Sequence, residues 1–185
     1  VAPSAIPFSS SLQSLFNTPR ELQETEILNI ISRFAFAAKM SKSLGFTGVQ
    51  IHGAHGYLVS QFLSPHHNQR TDRWGGTLEN RMRFILSIYQ AIREAVGSQF
   101  PIGIKINSAD FQRGGFSEEE SMQVVSQLSD IGMDLIEISG GNYEAPEMTG
   151  SSRKNSTHQR EAYFLDYCEK VRKIVNCPLM LTGGF

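Results

Sequence analysis

The chain has 185 residues, of which 40% are hydrophobic, and its formal net charge is −1. This length is enough to bury one sizeable core. The 17 basic residues do not exceed the 18 acidic ones, so neither a nucleic acid nor an anionic membrane surface is expected as a partner. No apolar run approaches the roughly 18 to 20 residues that cross a bilayer, and the first residues lack the pattern of a signal peptide, so we expect a cytoplasmic protein.

Helical and strand patterns alternate along the chain. Residues 1–19 carry three prolines and a serine run without periodicity, so we expect a loop or tail. Apolar residues at helical spacing predict helices over 25–44, 78–96 and 160–175. An N-cap at Ser117, followed by three glutamates, predicts another helix over 118–131. The predicted strands cover 48–52, 102–107, 135–139 and 179–182.

This alternation predicts an α/β protein with parallel strands, either a doubly wound sheet or part of a (β/α)8 barrel. Every predicted strand ends in small or polar residues, which are His52 and Gly53, Asn107 and Ser108, Ser139 to Gly141, and Gly183 with Gly184. The carboxyl ends of parallel strands share one edge, so these residues are expected to meet there.

Period-two alternation predicts one polar strand face. In residues 102–107 the three isoleucines share one face, while Lys105 and Asn107 share the other. By the same rule the polar face collects Gln50, His52, Lys105, Asn107, Glu137, Ser139 and Thr182. An inward lysine needs an anionic partner, and either a bound anion or Glu137 on the neighbouring strand could provide one.

Residues 49–58, VQIHGAHGYL, place two imidazoles and a phenol at one strand end. Such groups can position and donate protons to a bound carbonyl. His52 and His55 also have the spacing of a metal-ligand pair, but a strand-to-turn setting does not converge two imidazoles as a helix does. We therefore predict no metal site. His66 and His67 are expected to be structural or exposed.

The polar loop and the two cysteines are expected to have structural roles. Side-chain to backbone hydrogen bonds are expected to hold the long polar loop over residues 68–81. Cys168 and Cys177 lack metal-ligand spacing and are predicted to be reduced thiols in the core.

The runs HGAHGYL at 52–58 and FLSPHHNQRTDRWGG at 62–76 resemble the old yellow enzyme family of FMN-dependent NADH:flavin oxidoreductases and ene-reductases. The similarity extends from about residue 16 to residue 185. The resemblance implies a partial TIM (β/α)8 barrel of about four β/α units, corresponding to the fourth to seventh strands. Residues 1–185 would then form one incomplete FMN-binding domain.

The resemblance implies FMN as the cofactor and NAD(P)H as the reductant. Lys105 would contact the pyrimidine edge of the flavin and stabilise its negative charge after reduction. Gly183 and Gly184 would bind the FMN phosphate through their backbone amides. Ser139, at the preceding strand end, would face the same pocket.

The resemblance also implies a reaction, in which hydride passes through the flavin to an activated alkene, an α,β-unsaturated carbonyl or nitro compound. His52 and His55 would bind the carbonyl or nitro oxygen, and Tyr57 would protonate the α-carbon. A truncated, non-catalytic interaction module and a flavin-free phosphate-binding α/β enzyme are the alternatives.

Four strands cannot close a ring of eight. A homo-oligomer or a complementing barrel segment is therefore expected in addition to the small-molecule substrate.

Overall fold

The structure, a computed structural model, describes residues 1–145 and 164–183. Its elements in chain order are α1 (Glu24–Ser43), β1 (Val49–Gly53), α2 (Leu58–Leu63), α3 (Leu78–Val96), β2 (Ile102–Asn107), α4 (Glu118–Asp130), β3 (Leu135–Ser139), α5 (Leu165–Arg172) and β4 (Leu179–Leu181). No helix among these residues is long and apolar enough to cross a bilayer.

The four strands form one parallel sheet in the order β1-β2-β3-β4. Each strand lies beside the next one in sequence, which is the order of a barrel segment; a doubly wound sheet reverses its order at a switch point. The predicted α/β fold and partial barrel are therefore confirmed. The register pairs His52 with Lys105, Lys105 with Glu137, and Glu137 with Met180.

The core lies between the sheet and the helices. The three isoleucines of β2, Ile102, Ile104 and Ile106, are completely buried, as the alternation predicts. They belong to one cluster with buried residues of the helices, which include Ile27, Ile31, Phe84, Ile85, Ile88, Ile92, Val124, Val125 and Leu128. This burial fixes which strand face meets the helices and leaves the polar face on the other side.

Side chains at the helix starts account for two of the predicted boundaries. The Ser117 hydroxyl accepts a hydrogen bond from the Glu120 N–H at 3.2 Å, and the Glu120 carboxylate closes a capping box on α4. Thr77 accepts from the Asn80 N–H at 3.4 Å and caps α3.

The structure contains one helix, α2, for which the sequence analysis predicted no element. Six residues are too few to show a helical period, so the helix left no signal of its own. The last predicted helix is observed as Leu165–Arg172, and residues 160–163 lie outside the described residues.

The polar loop is held by side chains that bond to backbone carbonyls, as predicted. Asn68 donates from its amide nitrogen to the carbonyls of Phe62 and Trp74, at 2.7 and 2.8 Å. The buried Arg81 donates to the Gly76 carbonyl at 3.1 Å. These bonds fix the chain between α2 and α3, and thereby the position of α2 after Tyr57.

Cys168 and Cys177 are free thiols that pack, partly buried, against the hydrophobic core. The prediction of reduced core thiols is confirmed.

Candidate active site

His52, His55 and Tyr57 converge where β1 ends and α2 begins. The chain turns through two left-handed residues, His55 with φ of 63° and Gly56 with φ of 77°. Such a conformation is unfavourable for a residue with a Cβ atom, and strained conformations of this kind cluster at functional sites. The turn brings the ring centroids of His55 and Tyr57 within 5.2 and 4.9 Å of the His52 ring.

His55 is held by the ends of the two neighbouring strands. Its backbone N–H donates to Asn107 Oδ1 at 3.1 Å, and its Nε2 lies 2.7 Å from Ser139 Oγ. Asn107 is itself fixed because its amide nitrogen donates to the Gly141 carbonyl at 2.9 Å. Ser139 and Asn107 are buried, so the imidazole rests on a rigid base at the carboxyl ends of β2 and β3.

Both imidazoles are neutral at physiological pH. Burial, together with the nearby His52 ring and the Lys105 charge, lowers the pKa of His55 to about 4. Burial and the Lys105 charge also lower the pKa of His52. A neutral imidazole has one N–H donor and one acceptor nitrogen, so each ring can offer one hydrogen bond to a ligand oxygen.

Four polar side chains meet beside these rings; we call them the Glu137 network. Glu137 accepts a hydrogen bond from Gln50 Nε2 at 2.8 Å and another from the Thr182 hydroxyl. Lys105 Nζ lies 3.1 Å from Glu137 Oε1. The ion pair considered from the sequence is therefore present. The Lys105 side chain remains 25% exposed on the polar face, so it can also reach a ligand there.

Glu137 is ionised in this network. Burial alone would raise the pKa of its carboxyl group, but hydrogen bonds from Thr182, Gln50 and Lys105 outweigh burial and lower the pKa. The network therefore joins one carboxylate and one ammonium group.

Tyr143 is a site residue that sequence reasoning missed. Its hydroxyl oxygen lies 2.7 Å from that of Tyr57, and both side chains are exposed. Phe16 and Phe8 flank the Tyr143 ring, with centroids at 5.3 and 6.2 Å. The sequence could have indicated Tyr143, because it is an aromatic residue in the loop after a barrel strand and such loops surround barrel active sites.

The residues present fit an FMN molecule in the chemistry they offer. The polar face carries a cationic donor, Lys105, and an amide, Gln50, which suit the polar edge of a flavin ring. Gly183 follows β4 with φ of 103°, in the left-handed region where glycine is favoured and backbone N–H groups can turn toward an anion. Gly184 lies outside the described residues.

Ser139 is placed differently from its neighbours in the predicted cofactor group. It is completely buried, and its hydroxyl group is directed to His55.

A possible metal-ligand group lies elsewhere in the described residues. The ligand atoms of His66, His67 and Glu144 lie within 4.8 Å of one another, whereas His52 and His55 belong to no such group of three among residues 1–145 and 164–183. Glu144 already accepts hydrogen bonds from the Ser9 N–H at 2.6 Å and from Gln112 at 2.8 Å. Its carboxylate thus joins the N-terminal segment to the loops after β2 and β3.

Comparison with known proteins identifies the family. Residues 2–185 match the family model described as "NADH:flavin oxidoreductase / NADH oxidase family". The chain belongs to this family.

Individual relatives agree with this assignment. The chain is 42% identical to an Aspergillus parasiticus protein named NADH-dependent flavin oxidoreductase nadA; the match covers 100% of the chain and 42% of that protein. A structure of 2-naphthoyl-CoA reductase matches 97% of the chain and 26% of its own length, with a TM-score of 0.83 and 32% identity. The old yellow enzyme homologue from Zymomonas mobilis, at 22% identity, shares the fold over 92% of this chain and 45% of its own, with a TM-score of 0.70.

These matches confirm the resemblance to the old yellow enzyme family and the partial TIM barrel. They also confirm, at the level of the family, FMN as the cofactor and NAD(P)H as the reductant. The chain spans about two fifths of the length of the Aspergillus relative.

Proposed function

We propose that this chain is part of an FMN-dependent oxidoreductase that uses NAD(P)H to reduce activated alkenes, α,β-unsaturated carbonyl or nitro compounds. The observation that carries this proposal is the convergence of His52, His55 and Tyr57 beside Lys105, at the strand ends of a barrel segment. When bound, FMN supplies the hydride transfer between NAD(P)H and substrate.

His52 and His55 bind the carbonyl or nitro oxygen of the substrate. When the Ser139 hydroxyl donates to His55 Nε2, the neutral ring carries its proton on Nδ1, the nitrogen that Ser139 does not engage. Hydrogen bonds to this oxygen strengthen as negative charge develops on it, so the two rings stabilise the transition state more than the bound substrate.

Tyr57 donates the proton that completes the reduction. Its hydroxyl group is exposed on the same side as the His52 ring and bonds to Tyr143. A tyrosine hydroxyl is protonated at neutral pH, so it can act as an acid without a special environment.

Lys105, Gly183 and Gly184 hold the cofactor in this proposal. Lys105 would contact the edge of the flavin that becomes negative on reduction, and the backbone N–H groups of the two glycines would donate to the phosphate. Ser139 contributes by holding the His55 ring.

The experiment is an assay of NAD(P)H oxidation by the FMN-loaded protein, with 2-cyclohexenone and a nitroalkene as test substrates. We expect Tyr57→Phe to lower alkene reduction by about 10²-fold, the lower range for loss of a general acid. His52→Ala should lower it similarly, by about 10²-fold, as expected for a lost oxyanion donor. The matched control is His66→Ala, in a half-buried histidine that follows α2, which should retain the activity.

Unchanged rates in Tyr57→Phe and His52→Ala would contradict the assigned roles. A protein that binds neither FMN nor alkenes would favour the alternative of a non-catalytic interaction module.

A further inference from the structure

One carboxylate is contacted by side chains from β1, from β2 and from the residue that follows β4. Glu137 on β3 is contacted by Gln50 from β1, by Lys105 from β2, and by Thr182 directly after β4. Lys105 and Glu137 are also direct partners in the sheet register. Their side chains are therefore held side by side by the backbone ladder as well as by their charges.

The two charged groups differ in their exposure. The Glu137 side chain is 8% exposed, whereas the Lys105 side chain is 25% exposed. The lysine is thus the more accessible member of the pair to a ligand on the polar face. The field at that position depends on both charges, because partly buried charges are only weakly screened.

We propose that Glu137 is a positioning residue, which fixes Lys105 on the polar face and limits the positive charge that this face presents to the reduced flavin. This inference rests on the proposed contact between Lys105 and FMN. An unpaired ammonium group would favour the anionic reduced cofactor strongly over the oxidised one. With Glu137 beside it, that preference is smaller.

A role in stability alone does not explain the network. A buried ion pair is often no more stable than well-packed apolar residues of similar volume, and the interiors of barrels are usually filled by branched aliphatic side chains. Here the polar set occupies the barrel's inner face next to the histidines, with the lysine as its more exposed member. This placement is expected of a ligand-binding surface and not of a packed barrel interior.

The test is Glu137→Gln, which removes the charge and keeps the shape. The new amide oxygen can accept from Lys105 and Thr182, and the Gln50 amide can rotate to accept from the new NH2 group, so the fold should persist. The measurement is the midpoint potential of bound FMN by dye equilibration. We expect the ratio of affinities for reduced over oxidised FMN to rise roughly tenfold, a modest effect for one nearby charge. A tenfold ratio is about 30 mV for a two-electron couple.

Two further variants separate charge from packing. Thr182→Val removes one hydrogen bond to Glu137 without changing any charge, so it should lower the melting temperature and leave the midpoint potential near that of the wild type. In a Lys105→Met background, Glu137→Gln should raise the potential less than it does in the wild type, because only the direct effect of the carboxylate charge remains and no ammonium group loses its partner. Should Glu137→Gln not fold, Glu137→Asp should shift the potential in the same direction by a smaller amount.

The outcomes distinguish this inference from the proposed function. If Glu137→Gln changes the melting temperature but not the potential, while Lys105→Met lowers the potential, the role of Glu137 is overturned and that of Lys105 stands. If Lys105→Met changes neither the potential nor the affinity for FMN, the proposed cofactor contact fails and the inference fails with it.

Discussion

The hydroxyl oxygens of Tyr57 and Tyr143 lie 2.7 Å apart, and their rings meet edge to face with centroids separated by 5.9 Å. The hydrogen bond to Tyr57 raises the pKa of Tyr143. The β3 loop thus places a second, protonated phenol against the hydroxyl group that we assign as the acid. We infer that Tyr143 holds the orientation of the Tyr57 hydroxyl.

We predict that Tyr143→Phe lowers the rate of alkene reduction by about tenfold, less than the loss of the acid itself. The variant keeps the ring and removes only the hydroxyl that contacts Tyr57. Single-turnover kinetics with 2-cyclohexenone, measured across a range of pH, would check this.

The control for this prediction is the double variant Tyr57→Phe/Tyr143→Phe. If Tyr143 acts through Tyr57, the second substitution should add nothing once Tyr57→Phe is present. Independent, multiplying effects of the two substitutions would show that Tyr143 acts in another way.

His55 makes stability depend on pH. Its pKa is about 4 in the folded protein and has an ordinary value of 6.5. Between these values the unfolded chain binds a proton that the folded chain does not, so stability is fully present above pH 6.5 and falls as the pH falls. The full shift would correspond to about 3 kcal/mol of unfolding free energy at the lower end of this range. Because the His55 ring is only half-buried and solvent screens part of the effect, we expect a loss of about 2 kcal/mol.

Urea titrations at several pH values would measure this slope. His55→Asn is a suitable variant, because asparagine tolerates the left-handed conformation and does not titrate. The variant should show a shallower slope between pH 4 and 6.5; His52 and His67, whose pKa values are also lowered by burial, supply the remainder. An unchanged slope would show that His55 is not the group responsible.

Much of the fold could be predicted because local signals agree with the burial pattern. The apolar stripe of α3 and the Ser117 N-cap of α4 both predict helices that the structure contains. The alternation in β2 predicts which residues face the helices. α2 could not be predicted in this way, because it is short and its position depends on tertiary bonds made by Asn68.

The candidate site, like the fold, has features that could be predicted from the sequence and features that could not. The strand-end position of His52 and the parity of Lys105 with Glu137 follow from period-two alternation, so these placements could be predicted. The contact of Tyr57 with Tyr143 joins two loops, and loops carry no periodicity from which a partner can be inferred. The bond between His55 and Ser139 likewise depends on a left-handed turn that only the structure reveals.

Gly56 is predicted to be required for the turn that presents Tyr57. A Cβ atom here would lie 3.0 Å from Asn142 Cβ, in a backbone with φ of 77°. Gly56→Ala should therefore reduce the unfolding free energy by about 2 to 3 kcal/mol, from backbone strain and crowding together. Gly76→Ala is the matched control, since φ is 81° there and nothing lies within 4 Å. It should reveal the cost of strain alone, about 1 kcal/mol.

Urea denaturation followed by circular dichroism gives both values. Equal losses in the two variants would mean that the contact with Asn142 does not constrain the turn.

Arg81 is predicted to be the most sensitive residue of the polar loop. It is 3% exposed and bonds to the carbonyls of Leu63 and Gly76 and to the Glu120 carboxylate. Arg81→Met should cost about 3 to 5 kcal/mol, because it leaves a partly buried carboxylate and two carbonyls without their partner. Adding Glu120→Gln should recover part of this loss in denaturant titrations, since it removes the unpaired charge and keeps the capping box. If the unfolding free energy is not recovered, the loss arises from the unpaired carbonyls of Leu63 and Gly76 and not from the Glu120 charge.

The central claim is that this chain carries an FMN site, and a visible absorption spectrum tests it most directly. The purified protein is mixed with FMN, freed of excess by gel filtration, and then treated anaerobically with NADH or NADPH. We predict a band near ~450 nm that elutes with the protein and bleaches on addition of the nicotinamide, as expected of a bound redox flavin. A colourless protein after gel filtration would contradict the claim that these residues form a cofactor site.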